Sequence, residues 1–231
     1  MRVLGLCDEL ARVARFARDV GPLDGVDFEA LVCNNRRLGA LRFRAGVAAQ
    51  LATMPGADQR IVLALLARRR LRISRHALHD PPVLRWLQKK EYDVGLHAAG
   101  VIYRRPLLQA FRRGVLNAHI GILPAYRGRS VMEWSILHGD ETGVSVFFMD
   151  EGIDTGPEIV LREAVPVTGK GNVAAAKEHL FDQDARMYRR ALERVARHDY
   201  EPEAMQAAQD GTRYYVMSEL LKEVVDGLIR R

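Results

Sequence analysis

The chain opens with a short apolar run, Arg2 to Cys7, that stops at Asp8, the pattern of a buried strand feeding a helix. Leu10, Val13, Ala14, Ala17 and Val20 then recur at helical spacing until Gly21-Pro22 ends the repeat. Phe28 to Cys33 reads as a second strand and Asn34-Asn35 as its loop. Arg36 to Ala67 is helical in composition, broken at Pro55-Gly56, and Leu71-Arg72-Ile73 reads as a short third strand. Asp80-Pro81-Pro82 opens another helix, with Asp80 as N-cap and Pro81 at the first helical position, ending near Lys90. Asp93 to Val101 and Gly114 to Leu123 are near-continuous apolar strands, and Ser130 to His138 is a helix stopped by Gly139. Val144 to Met149 and Ile159 to Val165 read as strands, and Val173 to Val195 as one long amphipathic helix with interruptions. This alternation predicts the α/β class: an open, mostly parallel, Rossmann-like sheet with helices on both faces.

The tail has another character. Tyr200 to Asp210 is polar and contains proline, after which Val216, Leu220, Leu221, Val224, Val225, Leu228 and Ile229 form a helical stripe. The expected division is a catalytic domain over 1–195 and a C-terminal extension over 196–231 carrying this helix. The stripe is expected to pack within the chain, with a homodimer through it as the alternative.

Composition narrows the class further. Of the 231 residues, 48% are hydrophobic and 28% charged, as in an ordinary soluble domain. The N-terminal stretch lacks a signal-peptide pattern, and the densest apolar segment, Ile61 to Ala67, is too short to span a bilayer. No membrane association is expected. Two cysteines, Cys7 and Cys33, are too few for a disulfide framework and imply a reduced, cytoplasmic protein. The net charge of +6 and the Arg68 to Arg75 run suit a phosphate-bearing partner less well than a solvated helix end, because no aromatic platform accompanies them. His76 and His79 have metal-pair spacing but no third ligand beside them, so no metal is expected.

Chemistry concentrates between Val115 and Pro157. Asn117 and His119 lie one residue apart in an apolar strand, so strand periodicity sets both on one face. Polar groups there are costly unless satisfied or used. Gly121 and Pro124 then turn the backbone away, near the carboxyl end of the strand where ligands of open parallel sheets bind. Further on, Gly152 and Gly156 bracket Asp154-Thr155 in a tight loop that can present Asp154 toward the sheet. Singly, each of the three suits a structural role: a hydrogen-bonding histidine, a turn-forming asparagine, an aspartate capping backbone amides.

The ordered series Asn117-Ala118-His119, Leu123-Pro124, Tyr126-Arg127-Gly128, Gly139-Asp140, Thr142-Gly143-Val144 and Met149 through Gly156 resembles the formyltransferases that use 10-formyltetrahydrofolate. That family includes methionyl-tRNA formyltransferase, glycinamide ribonucleotide formyltransferase and the sugar N-formyltransferases. The resemblance implies Asn117, His119 and Asp154 as the catalytic trio. The amide and imidazole would stabilise the oxyanion of a tetrahedral centre, and the carboxylate would fix the imidazole tautomer and relay a proton. It also implies folate contacts at Val101, Ile102 and Tyr103 and at Asp150, Gly152 and Ile153, with Tyr126 and Arg127 toward the acceptor.

Three departures shape the expectation. Gly121 stands where the family usually has a serine. The first strand leads into Asp8-Glu9, which opposes the phosphate cradle of the glycinamide ribonucleotide enzymes. The sequence also ends about one helix beyond the core, without the barrel domain of the methionyl-tRNA enzymes. The favoured acceptor is therefore a small-molecule primary amine, such as a nucleotide-linked amino sugar, and transfer RNA is the less favoured one. Hydrolysis of the same donor, a folate-binding module without turnover, and nucleic-acid binding are the alternatives.

Overall fold

A computed structural model describes residues 1–230; Arg231, the last residue of the expected extension, lies outside them. Two compact units emerge, Met1–Leu116 and Asn117 onward. The division falls within a strand.

In the first unit, β1 (Arg2–Cys7), α1 (Leu10–Asp19), β2 (Asp27–Cys33), α2 (Ala40–Thr53), α3 (Gly56–Ala67), β3 (Leu71–Ser74), α4 (Pro81–Lys90), β4 (Tyr92–Ala98) and α5 (Arg105–Leu108) lead to β5 (Phe111–His119). The strands lie in the order β3-β2-β1-β4-β5, and every pair is parallel. The interior strands read as apolar runs because both faces are covered: Val3, Leu4, Leu6, Leu31, Val94 and Leu96 are all buried. Gly95 is small for a packing reason, since a Cβ there would meet the Phe111 ring and Val115 at 3.0 Å. The α/β class expected from sequence is the one observed.

The second unit continues with β6 (Tyr126–Gly128), α6 (Val131–His138), β7 (Gly143–Phe148), β8 (Glu158–Ala164), α7 (Val173–Phe181), α8 (Asp184–Val195), β9 (Ala204–Met205), β10 (Thr212–Tyr214) and α9 (Glu219–Ile229). Here β7-β8 and β8-β9 are antiparallel, while β10 pairs in parallel with β6 as a separate two-stranded sheet. The long helix expected over Val173 to Val195 is two helices, α7 and α8, each with its own buried face. The tail helix α9 packs on α6 and α7 and buries Val225 and Ile229. Among the described residues no helix is long and apolar enough to cross a membrane.

Two strands end where side chains intercept the backbone. β4 stops at Ala98 rather than Val101, with Asp8 Oδ2 accepting from Gly100 N at 2.6 Å and Val101 N turning back to Ala99 O. β5 stops at His119 because Ser145 of β7 takes over the next turn. Its hydroxyl donates to Gly121 O at 2.7 Å and accepts from Leu123 N at 3.0 Å. Leu123, Phe147 and Ile159 form the apolar floor beneath that turn, and the Leu123-Pro124 bond is cis.

Cys7 and Cys33 end adjacent strands and are both buried. Burial pushes the Cys33 thiol up to about 12 and that of Cys7 higher still. Neither is then a nucleophile near neutrality, where the reactive form is the thiolate. A disulfide-exchange dye at pH 8 is expected to label both at under ~1% of the rate found in denaturant, read by absorbance.

Candidate active site

All three residues of the expected trio belong to the second unit. Asn117 and His119 lie at the carboxyl end of β5, Asn117 half-buried and His119 only 7% exposed. The strand end is fixed from the side: Ala118 N donates to the phenol oxygen of Tyr188, a buried residue of α8, at 2.8 Å. Asp154 comes from the loop after β7. Its carboxylate lies 3.5 Å from His119 Nδ1, with the imidazole 7% and the carboxylate 13% exposed. Folding therefore brings residues 35 positions apart to one point.

The ring's other nitrogen, Nε2, lies 2.9 Å from the Tyr126 carbonyl oxygen. A carbonyl only accepts, so Nε2 carries a proton and the tautomer is set. Nδ1 then faces Asp154 Oδ2 across a gap longer than a hydrogen bond. The same Oδ2 accepts from Gly128 N at 2.9 Å. This edge of the ring is a proton acceptor facing a carboxylate at 3.5 Å.

The loop that carries Asp154 explains its glycines. Asp150 Oδ1 accepts from Gly152 N at 3.0 Å and from the Thr155 hydroxyl at 2.8 Å. That fold leaves no room at Gly152, where a Cβ would lie 1.9 Å from Thr155 Oγ1. At Gly156 a Cβ would lie 1.8 Å from the Phe148 carbonyl. Asp154 itself is left-handed, at φ 55°, a conformation that an aspartate tolerates better than most side chains.

The expected folate residues divide between the units. Val101, Ile102 and Tyr103 follow β4 in the first unit: the Ile102 side chain is exposed, its carbonyl meets His79 Nε2 at 2.8 Å, and Tyr103 is buried against the His97 ring. Asp150, Gly152 and Ile153 form the start of the Asp154 loop, where Asp150 acts as its internal cap.

Tyr126 and Arg127, expected toward the acceptor, have side chains engaged within the fold. Both are buried. The Tyr126 hydroxyl donates to Asp140 and lies 3.0 Å from His138 Nδ1, while its ring stacks on Tyr214 at 5.1 Å. Burial, then the bond to Asp140, pushes its phenol far above the ordinary range. The Arg127 guanidinium donates to Ala208 O at 2.6 Å and Gly211 O at 3.3 Å. It is the backbone of β6, through Tyr126 O and Gly128 N, that serves the site.

Gly121 is also a steric requirement. A Cβ there would stand 2.8 Å from His119 Nε2 and 3.0 Å from both Tyr126 O and Val131 Cγ2. The missing hydroxyl is thus the lesser change; the ring occupies the space that any side chain needs. Among the described residues no three His, Cys, Asp or Glu side chains gather as a metal-binding group.

The family model described as Formyl transferase matches residues 46–192. A methionyl-tRNA formyltransferase of Syntrophus aciditrophicus is 34% identical over 155 residues, covering 66% of this chain and 47% of that protein. The chain thus spans about half the length of the curated relatives it matches first. Among solved structures, a 4-N formyltransferase from Francisella tularensis superposes with a TM-score of 0.64 at 14% identity, over 97% of this chain and 85% of that one. A formyltransferase from Anoxybacillus kamchatkensis was solved in complex with UDP-4,6-dideoxy-4-formamido-L-AltNAc and tetrahydrofolate. It superposes with a TM-score of 0.52 at 14% identity, over 93% of this chain and 85% of that one.

Replacing Gly121 by serine or by alanine is expected to destabilise the fold by about 1–3 kcal/mol, because the clash comes from Cβ and the overpacked site must shift. Denaturant unfolding of both variants checks this; a neutral alanine variant would refute the steric account.

Proposed function

The chain belongs to the formyl transferase family, and from that premise we propose that it moves a formyl group from 10-formyltetrahydrofolate to a primary amine. One observation carries the reading: a buried imidazole with one nitrogen fixed as a donor and the other turned 3.5 Å from a half-buried carboxylate.

The amine nitrogen attacks the formyl carbon, the carbonyl oxygen takes up negative charge, and the bond from that carbon to the folate nitrogen then breaks. The amine must shed a proton and the folate nitrogen must gain one. His119 Nδ1 is the acceptor suited to this transfer, because Tyr126 O holds the only other proton site of the ring. Asp154 steadies the positive charge that the ring acquires, and Gly128 N keeps that carboxylate from turning away. Asn117, on the same strand face, supplies an amide N–H for the oxyanion. Asp150, Gly152 and Ile153 at the start of the Asp154 loop would contact the donor, as the family resemblance implies.

For the acceptor we favour a small amine, such as an amino sugar on a nucleotide. The neighbour solved with a UDP-linked formamido sugar and tetrahydrofolate supports this class. A second reading, transfer to methionyl-tRNA, is favoured by the sequence relatives.

Incubation with 10-formyltetrahydrofolate and either nucleotide-linked amino sugars or charged initiator tRNA, followed by mass spectrometry of the acceptor, separates the two. Formate release without any formylated acceptor would refute transfer altogether. His119→Ala and Asp154→Asn are each expected to lower kcat by about a hundredfold or more, measured from tetrahydrofolate production.

A further inference from the structure

The His119–Asp154 pair is enclosed by a segment that carries none of the trio. Gln206, just after β9, is 5% exposed. Its side-chain amide Nε2 donates to Gly156 O at 2.8 Å and to Asp154 O at 3.2 Å. Its backbone N donates to Pro157 O at 2.8 Å. One residue thus holds three carbonyls of the loop that presents the carboxylate, including that of Asp154 itself.

Beyond Gln206 the chain turns to the other side of the pair. Ala208 O and Gly211 O accept from the Arg127 guanidinium, and Thr212 N donates to Ala125 O at 3.1 Å. β10 then lies along β6, with Thr212 opposite Tyr126 and Tyr214 opposite Gly128. The approach is tight: a Cβ at Gly128 would lie 2.3 Å from Tyr214 O, and one at Gly211 would lie 1.7 Å from Pro124 O. Tyr126 O and Gly128 N are the backbone groups that hold His119 and Asp154.

We propose that Gln206 is a positioning residue of the transfer reaction. It fixes the peptide plane that follows the left-handed Asp154 and so sets the distance from the carboxylate to His119 Nδ1. The proposal rests on the reading of that pair as the acid–base machinery. A gap of 3.5 Å is sensitive to such control, because a rotation about the Asp154 backbone either closes it to a hydrogen bond or opens it beyond effective contact. Without the amide, the half-buried Asp154 carbonyl and the buried Gly156 carbonyl lose a donor, and the loop must rearrange to recover one.

The test uses the full chain with Gln206→Met, which keeps length without donors, and Gln206→Glu, which keeps shape and stands in should the first fail to fold. Met217→Ala is the control: Met217 is buried in the same tail, and its N donates to Ser130 Oγ rather than to the Asp154 loop. Two quantities are read. One is the 15N ring shifts of His119 at a single pH, assigned by their loss in His119→Gln. The other is kcat and KM for formyl transfer. Gln206→Met is expected to move the ring shifts and lower kcat about tenfold or more, with KM for the donor within about twofold, as misplacement of a catalytic group does. Met217→Ala should leave the ring shifts unchanged. The proposal is overturned if the Gln206 variants keep the parental ring shifts and kcat, or change them no more than the control does. If the shifts move while His119→Gln still turns over at the parental rate, the positioning stands and the assignment of the pair to catalysis falls.

Discussion

An imidazole that is 7% exposed between a carbonyl and a carboxylate constrains everything around it. The carbonyl fixes which nitrogen holds a proton, and the carboxylate faces the other nitrogen at 3.5 Å in a place with little water. Neither neighbour is a free side chain with room to adapt. One is main chain on β6, and the other hangs from a left-handed residue whose carboxylate is tied to β6 as well. The ring, the short strand and the loop therefore form one object.

Close backbone approach is the means by which that object is built. Gly121, Gly128, Gly152, Gly156 and Gly211 each lie where a Cβ would meet another atom at under 3 Å, and in each case the atom belongs to the site's own supports. Side-chain hydroxyls and amides supply the remaining precision. Ser145 spans the turn after His119, Thr155 closes the Asp154 loop on Asp150, and Tyr188 ties down Ala118. Arg162 adds a bond to Leu123 O at 3.1 Å while its guanidinium pairs with Glu203.

Much of this is visible in the linear sequence, and the reason is physical. Period two brings Asn117 and His119 to one face, and the glycine pair around Asp154 marks a loop that a side chain would block. The apolar runs of β1 through β5 announce a buried parallel sheet. The same runs carry no information about direction, so antiparallel β7-β8 was not readable from Val144 and Ile159. The partners of Tyr126 and Arg127 are invisible in the sequence, because Asp140, Ala208 and Gly211 lie 14, 81 and 84 residues further along. Gln206 sits in a polar tract without periodicity, and β9 and β10 are two and three residues long. Pairings that short leave no pattern, since their stability comes from the partner they join.

The pairing of β10 with β6 has a consequence for the order in which the molecule comes together. Arg127 finds its acceptors 81 and 84 residues further along, so this contact closes one of the longer loops in its unit and waits for most of that unit to be in place. Helices and the hairpin of β7 with β8 have nearer partners and less chain to organise. A chain caught partway, with sheet and helices formed but the tail undocked, would have an unsupported imidazole and a wandering carboxylate. A fully supported pair would then arrive as a late checkpoint, passed only by molecules whose C-terminal segment has come home.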